Sequence, residues 1–219
     1  MRLENAYMNL LHKLFGAKPS PKKTVVPDQL IPHYPEPPEN LQPLLQKVPN
    51  TGVVLYNFIR QFNISNMSKY WAVDLIENGM ETPSIIQLAG GDLDMDPSAF
   101  NELLGSIFRE LNINVDLEIA YCAYAMHIAG EVVRGERTPR SGFELLSEAA
   151  WDTYYSDPNN KGFHRVLYEF YFWLDNVDEV NKYTVKDSGL EKDNVDEWMY
   201  QYFEKLVKAN EKYCFSAGK

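Results

Sequence analysis

Residues 65–111 contain the start and stop signals of three consecutive helices, and they constrain the fold more than any other stretch. Gly79 is placed to end the first helix, because glycine adopts the left-handed conformation of a helix C-cap at little cost. Thr82 and Pro83 then begin the second helix. Threonine caps the first turn, and proline lacks an N–H that this turn leaves unpaired in any case.

The same kinds of signal continue beyond the second helix. Gly90-Gly91 is expected to end it, and Asp96-Pro97 to begin the third helix. The pattern Gly-x-x-Thr-Pro occurs twice, at 79–83 and 135–139, and each copy predicts a tight corner between two helices. The first helix of the stretch is predicted to have a single apolar face, formed by Met67, Tyr70, Trp71 and Leu75.

Apolar residues recur at three- and four-residue spacings in most of the chain, whereas no stretch alternates convincingly as a strand does. Further helices are predicted near 38–47, 52–62 and 193–213, and after Pro139 and Pro158. The helix at 115–134 is the most apolar and is rich in alanine, so we expect it at the centre. The predicted fold class is all-α, a single bundle of about eight helices.

The N-terminal part differs in composition from the rest. Residues 1–15 are predicted to form an amphipathic helix, and residues 16–43 are rich in proline and therefore irregular. This segment is either a linker or a strap over the body. Its apolar residues favour the strap: Val25, Val26, Leu30, Ile31 and Tyr34. The predicted units are an N-terminal helix and strap at 1–43 and a helical domain at 44–219.

The charge of the chain limits its partners. The formal net charge is −10, and residues 1–25 hold five basic residues and one acidic one, so the remainder carries −14. Such a surface repels nucleic acid and anionic membranes, and it favours a basic protein partner or simple solubility. Two cysteines give no disulfide framework, and no apolar run has the length of a membrane span. We therefore expect a cytoplasmic protein.

Motifs of catalysis and of cofactor binding are not recognisable in the sequence. There is no Gly-x-Ser-x-Gly element and no glycine-rich phosphate loop. The run Asp92, Asp94, Asp96 resembles the start of a calcium loop, but Pro97 and Leu103 stand where that loop needs glycine and glutamate. We interpret Asp96 as a helix N-cap. The sequence predicts a protein that is not an enzyme and has no cofactor.

One pair of residues keeps an enzymatic alternative open. His127 and Glu131 are four positions apart on one predicted helix, a spacing that places two metal ligands side by side. A third ligand has to come from a distant helix. The alternative function is thus an all-α metal-dependent hydrolase, whereas the plainer interpretation makes His127, Glu131 and Arg134 the hydrated edge of a buried helix.

A candidate partner-binding surface lies near the end of the helix that follows Pro158. Asp175, Asp178 and Glu179 are grouped at its C-terminal end, where the helix dipole disfavours negative charge. A basic partner explains this placement, and so does plain solvation. Phe172 and Trp173, one turn away, are candidates for exposed aromatic contacts. A third interpretation is self-association through the N-terminal helix.

Two phrases of the sequence carry a family resemblance: WAVDLIENGMETPSIIQLAG at 71–90 and YAMHIAGEVVRGERTPRSGFELL at 124–146. They resemble segments of small all-helical bacterial proteins of a family of unknown function, some of which are similar to immunity proteins that neutralise secreted toxins. The resemblance covers about residues 66 to 175 and carries over no catalytic residue. It implies a non-enzymatic cytosolic protein that binds another protein.

Overall fold

The computed structural model describes residues 25–62, 65–91, 95–114, 116–156, 190 and 194–215. These ranges contain no β-strand, and the predicted all-α fold is confirmed. Their eight α-helices are α1 (Gln42–Lys47), α2 (Thr51–Ile59), α3 (Ser65–Glu77), α4 (Pro83–Gly90), α5 (Pro97–Glu110), α6 (Leu117–Val133), α7 (Pro139–Ser156) and α8 (Val195–Ala209). Two short 3₁₀ helices accompany them, Asp28–Leu30 and Glu211–Tyr213. The helices predicted at 1–15 and after Pro158 lie outside the described residues.

Helix α6 is the centre of the bundle, as its composition predicts. It packs against α2, α7 and α8. Nine of its residues are buried: Ala120, Tyr121, Cys122, Ala123, Ala125, Met126, Ile128, Ala129 and Val132. Its closest approach is to α2, where a Cβ added to Gly52 would lie only 2.3 Å from the Ala123 carbonyl oxygen. Small residues on both helices thus permit backbone contact.

Two glycines end helices in the left-handed conformation, as the Gly-x-x-Thr-Pro pattern predicts. Gly79 has φ 79°, and the next N–H, of Met80, donates to the Leu75 carbonyl oxygen at 3.0 Å. Gly135 has φ 76°, and the Glu136 N–H donates to the Glu131 carbonyl oxygen at 2.9 Å. Both arrangements are Schellman motifs.

The predicted helix starts are confirmed by side-chain capping. Thr82 accepts a hydrogen bond from the Ile85 N–H at 3.4 Å, and Thr138 accepts one from the Ser141 N–H at 3.3 Å. Asp96 caps α5 by accepting the Ser98 N–H at 2.9 Å. Asp96 is therefore an N-cap in the structure, whereas Asp92 and Asp94 lie outside the described residues.

Residues 25–41 lie on the body as a strap, which confirms that interpretation over a linker for the described part of the segment. Val26, Ile31 and Leu41 are buried in the core. Leu30 and Tyr34 are partly buried and pack against it. Val25 does not fit the prediction, because 57% of its surface is exposed.

Asn210, at the end of α8, holds the strap in place. Its Oδ1 accepts the Tyr34 N–H at 2.7 Å, and its Nδ2 donates to the Pro32 carbonyl oxygen at 3.0 Å. The Tyr213 hydroxyl adds a hydrogen bond to the Pro35 carbonyl oxygen at 2.9 Å. Since proline-rich backbone makes few hydrogen bonds of its own, these side chains supply the missing partners.

None of the described helices combines the length and the apolar character that crossing a membrane requires.

Candidate functional site

Helix α3 exposes large apolar side chains on the face that points away from the core. Tyr70 is 71% exposed, Val73 38% and Met67 37%. The opposite face is fully buried through Trp71, Ala72 and Leu75. The prediction of one shared apolar face is therefore wrong. Trp71 and Leu75 lie about 40° apart around the helix axis and share the buried side, whereas Tyr70 lies about 140° from Leu75 and is exposed.

Two carboxylates belong to the same exposed face. Asp74 and Glu77 follow Tyr70 by four and seven positions, which places them within about 40° of it around the helix axis. Burial raises the pKa of Asp74 above its ordinary value, and the nearby charge of Glu77 raises it further. We call the set Met67, Tyr70, Val73, Asp74 and Glu77 the Tyr70 face.

The basic residue of this helix is directed elsewhere. Lys69 donates from Nζ to the Gly91 carbonyl oxygen at 2.9 Å, across the end of α4. Lys69 thus provides a hydrogen-bond donor for a backbone carbonyl at the C-terminal end of α4. The Tyr70 face itself combines an exposed aromatic ring with two carboxylates, a composition suited to contact with a positively charged protein surface.

The acidic character of the chain is concentrated in the part that the structure describes. These residues include 20 acidic and 10 basic side chains, a net charge of −10 that equals the charge of the whole sequence. The formal charges of the remaining residues sum to zero. A net negative charge on the described residues favours encounter with basic partners.

His127 and Glu131 do meet on α6, as their spacing predicts, but the carboxylate is already engaged on both oxygens. His127 Nε2 lies 3.2 Å from Glu131 Oε1, and Arg137 Nε donates to Glu131 Oε2 at 2.7 Å. Arg134 pairs instead with Glu136, through Nε at 2.9 Å and Nη2 at 2.8 Å. Within the described ranges no three His, Cys, Asp or Glu side chains are grouped to hold a metal ion.

The cluster therefore has the geometry of two ion pairs with a histidine. The hydrogen bond from His127, together with the hydrogen bond and charge of Arg137, lowers the pKa of Glu131 from 4.5 to about 2. Both side chains remain partly accessible, with 18% of His127 and 21% of Glu131 exposed. Within the described residues, His127 and Glu131 lie at a partly exposed edge of α6, where Arg137 pairs with Glu131 and Arg134 with Glu136.

A pH dependence follows from the lowered pKa of Glu131. Because the folded state holds this proton less tightly than the unfolded state, its stabilising contribution is present above pH 4.5 and is lost as the pH falls towards 2. We expect Glu131→Gln to flatten the fall in melting temperature across that interval. Glu144→Gln, at an exposed position of α7, serves as the control and should keep the wild-type slope. Equal slopes for Glu131→Gln and wild type would contradict the assignment.

A cavity of about 480 Å³ adjoins this cluster. It lies between the turn that precedes α2, the C-terminal half of α6 and the end of the described chain, and its lining includes Asn50, His127, Arg134 and Cys214. Burial, more than the charge of Glu211, raises the pKa of Cys214 to about 11, so the thiol stays protonated at neutral pH. It is therefore a poor nucleophile.

The sequence-predicted partner surface is not among the described residues. Asp175, Asp178, Glu179, Phe172 and Trp173 all lie in the range 157–189, outside the described part of the chain. The Tyr70 face was missed by sequence reasoning. Its available signal was the spacing of Tyr70, Asp74 and Glu77, which recur four and three positions apart and therefore share one side of a helix.

Comparisons with protein-family models, with curated proteins and with solved structures found no match. The fold and the candidate site define an all-α bundle that has a net negative charge and an exposed aromatic side chain on α3. The resemblance to all-helical bacterial proteins and to immunity proteins stays a prediction.

Proposed function

We propose that this protein is a non-enzymatic binding module that engages a basic protein partner through the Tyr70 face. The observation that carries the proposal is a tyrosine 71% exposed on a folded helix, flanked by Asp74 and Glu77. Tyrosine is enriched among the residues that dominate binding energy, because its ring buries a large area and its hydroxyl keeps a polar partner.

The net negative charge of the described residues supports a partner of positive charge. A net charge of −10 on the described residues favours a basic partner, and complementary charge accelerates encounter and excludes acidic competitors. An inhibitor of immunity type, acting in the cytoplasm on a basic enzyme, is the form of this function that the sequence resemblance favours.

Substitutions on the Tyr70 face test the proposal. The protein is immobilised, and binding proteins are recovered from an extract of its native host at low and at raised salt. We expect wild type to retain a basic protein, Tyr70→Ala to weaken its binding by about tenfold or more, and the pair Asp74→Asn and Glu77→Gln to weaken it while flattening the salt dependence.

The control replaces two carboxylates of α7, Glu144→Gln and Glu148→Gln, which are also exposed. This variant should bind as wild type does. Folding is checked by melting temperature, which the Asp74 and Glu77 variant should hold or slightly raise, since it removes a partly buried charge and its like-charged neighbour. Unchanged binding by the Tyr70 and Asp74/Glu77 variants would contradict the proposal.

The acidic residues at 175–179 are a second candidate contact and are tested in the same binding assay. Replacing Asp175, Asp178 and Glu179 by their amides should weaken binding and lower its salt dependence if the partner contacts both surfaces. Binding unchanged by this triple variant but lost with Tyr70→Ala would assign the contact to the Tyr70 face alone.

A further inference from the structure

One wall of the cavity beside α6 is polar and carries both acidic and basic side chains. Glu131 is engaged on both oxygens by His127 and Arg137. Glu136 is engaged on both oxygens by Arg134. Each carboxylate oxygen of the wall thus already has one protein donor beside it, and Arg134 is the cationic donor that also lines the cavity.

Arg134 is held so that one edge of its guanidinium remains available. Glu136 takes Nε and Nη2, and Nη1 lies over Gly130, 2.9 Å from the position that a Cβ there would occupy. Both Gly130 and Arg134 line the cavity. Because Gly130 has no side chain, the guanidinium can lie close to the helix at the cavity wall.

Asn50 provides a second polar group in the lining of the cavity. It precedes α2 in a left-handed conformation with φ 63°, and its side chain makes no capping hydrogen bond to that helix. Left-handed asparagine is tolerated, but a glycine would hold this turn with less strain. The remaining surface is largely apolar, contributed by Met126, Val133, Val207 and Phe215.

We propose that this cavity binds a small organic acid with an apolar body, whose carboxylate pairs with the free edge of Arg134. A guanidinium edge matches a carboxylate through two parallel hydrogen bonds, and the apolar walls fit a hydrocarbon or aromatic body. The volume of about 480 Å³ lies within the range of small-molecule sites. Asn50 supplies the further hydrogen bond that orients the ligand.

The test uses 4-phenylbutyrate as the probe and 4-phenylbutanol, which has the same body without the carboxylate, as its matched comparison. Binding to the full chain is measured by calorimetry and by amide chemical shifts of the cavity residues. We expect saturable binding of the acid that perturbs residues of α6 and the turn at 49–50, with the alcohol weaker by about tenfold or more.

Three variants locate the contact. Arg134→Gln should weaken binding of the acid by about tenfold or more and leave binding of the alcohol unchanged. Gly130→Ala keeps the arginine but displaces its guanidinium, so it should weaken the acid as well, while helix propensity favours the alanine. Asn50→Gly should lower affinity without loss of stability.

Arg140→Gln is the control, since this exposed arginine faces Asp196 at 4.0 Å and is not part of the cavity. It should bind the acid as wild type does. Equal binding of acid and alcohol, undiminished binding of the acid by Arg134→Gln, or no saturable binding at millimolar concentrations would each overturn the proposal.

Discussion

Gly52→Ala should lower the free energy of unfolding by about 3 kcal/mol or more, among the largest losses expected from adding one methyl group. The added Cβ would lie 2.3 Å from the Ala123 carbonyl oxygen and 2.6 Å from its carbonyl carbon. These are backbone atoms of the central helix and cannot rotate away as a side chain does. To accept the methyl group, α2 and α6 must separate, which loosens the most extensive helix pair of the described bundle. Urea denaturation measures the change.

Gly105→Ala is the matched control for this prediction. A Cβ there would meet only the Phe58 ring at 3.6 Å, an ordinary contact, in the middle of α5. Alanine favours a helix over glycine by up to about 1 kcal/mol, so this variant should equal or exceed wild type in stability. If Gly52→Ala and Gly105→Ala have similar stability, the close α2–α6 approach is wrong.

Asn210→Ala should cost about 2–4 kcal/mol and release the strap from the bundle. Asn210 is 6% exposed, and its amide serves Tyr34 N–H, the Pro32 carbonyl and the Leu206 carbonyl. Alanine leaves the first two groups without this partner at a partly buried position. Unfolding in urea gives the loss of stability, and limited proteolysis of the folded protein reports release through new cleavage between 26 and 36.

The control for this prediction is Asn78→Ala. Asn78 also donates from Nδ2 to the carbonyl oxygen four residues before it, Asp74, at 2.8 Å, but it is exposed at the end of α3. Water replaces the lost bond there, so the expected change is below about 1 kcal/mol. Comparable losses at 210 and 78, or an unchanged cleavage pattern in Asn210→Ala, would show that the strap is held by other contacts.

The sequence could predict this fold because its helix boundaries depend on local chemistry. Gly79 and Gly135 end helices for a reason contained in one residue, the ease of the left-handed conformation. Thr82 and Asp96 cap helices through hydrogen bonds that span only two or three residues. Signals of this range are legible without knowledge of the tertiary structure.

Other boundaries were not predictable in the same way. Gln61 and Asn112 also end helices in the left-handed conformation, with φ 58° and 55°, although neither is glycine. Asparagine adopts this conformation more readily than most residues, but glutamine does not, so the turn at Gln61 has no signal in its own residue. The strap depends on Asn210, 176 residues away from Tyr34, and nothing in the local sequence of either residue indicates the other.

The candidate site was predictable only in part. The contact between His127 and Glu131 follows from helical spacing, but the engagement of Glu131 by Arg137 depends on how the chain turns at Gly135. The outward direction of Tyr70 depends on which side of α3 meets the core. That choice is made by Trp71, whose indole N–H donates to Thr51 of α2 at 3.0 Å and fixes the helix rotation.

Photo-crosslinking from position 70 tests the proposed contact between a basic partner and the Tyr70 face. A photoreactive phenylalanine analogue replaces Tyr70 in the full chain in its host, and a second version carries it in place of Glu144 on α7. We expect a product with a basic protein of different sequence from position 70 and not from position 144. No product from position 70, or a product consisting of two copies of this chain, would contradict it.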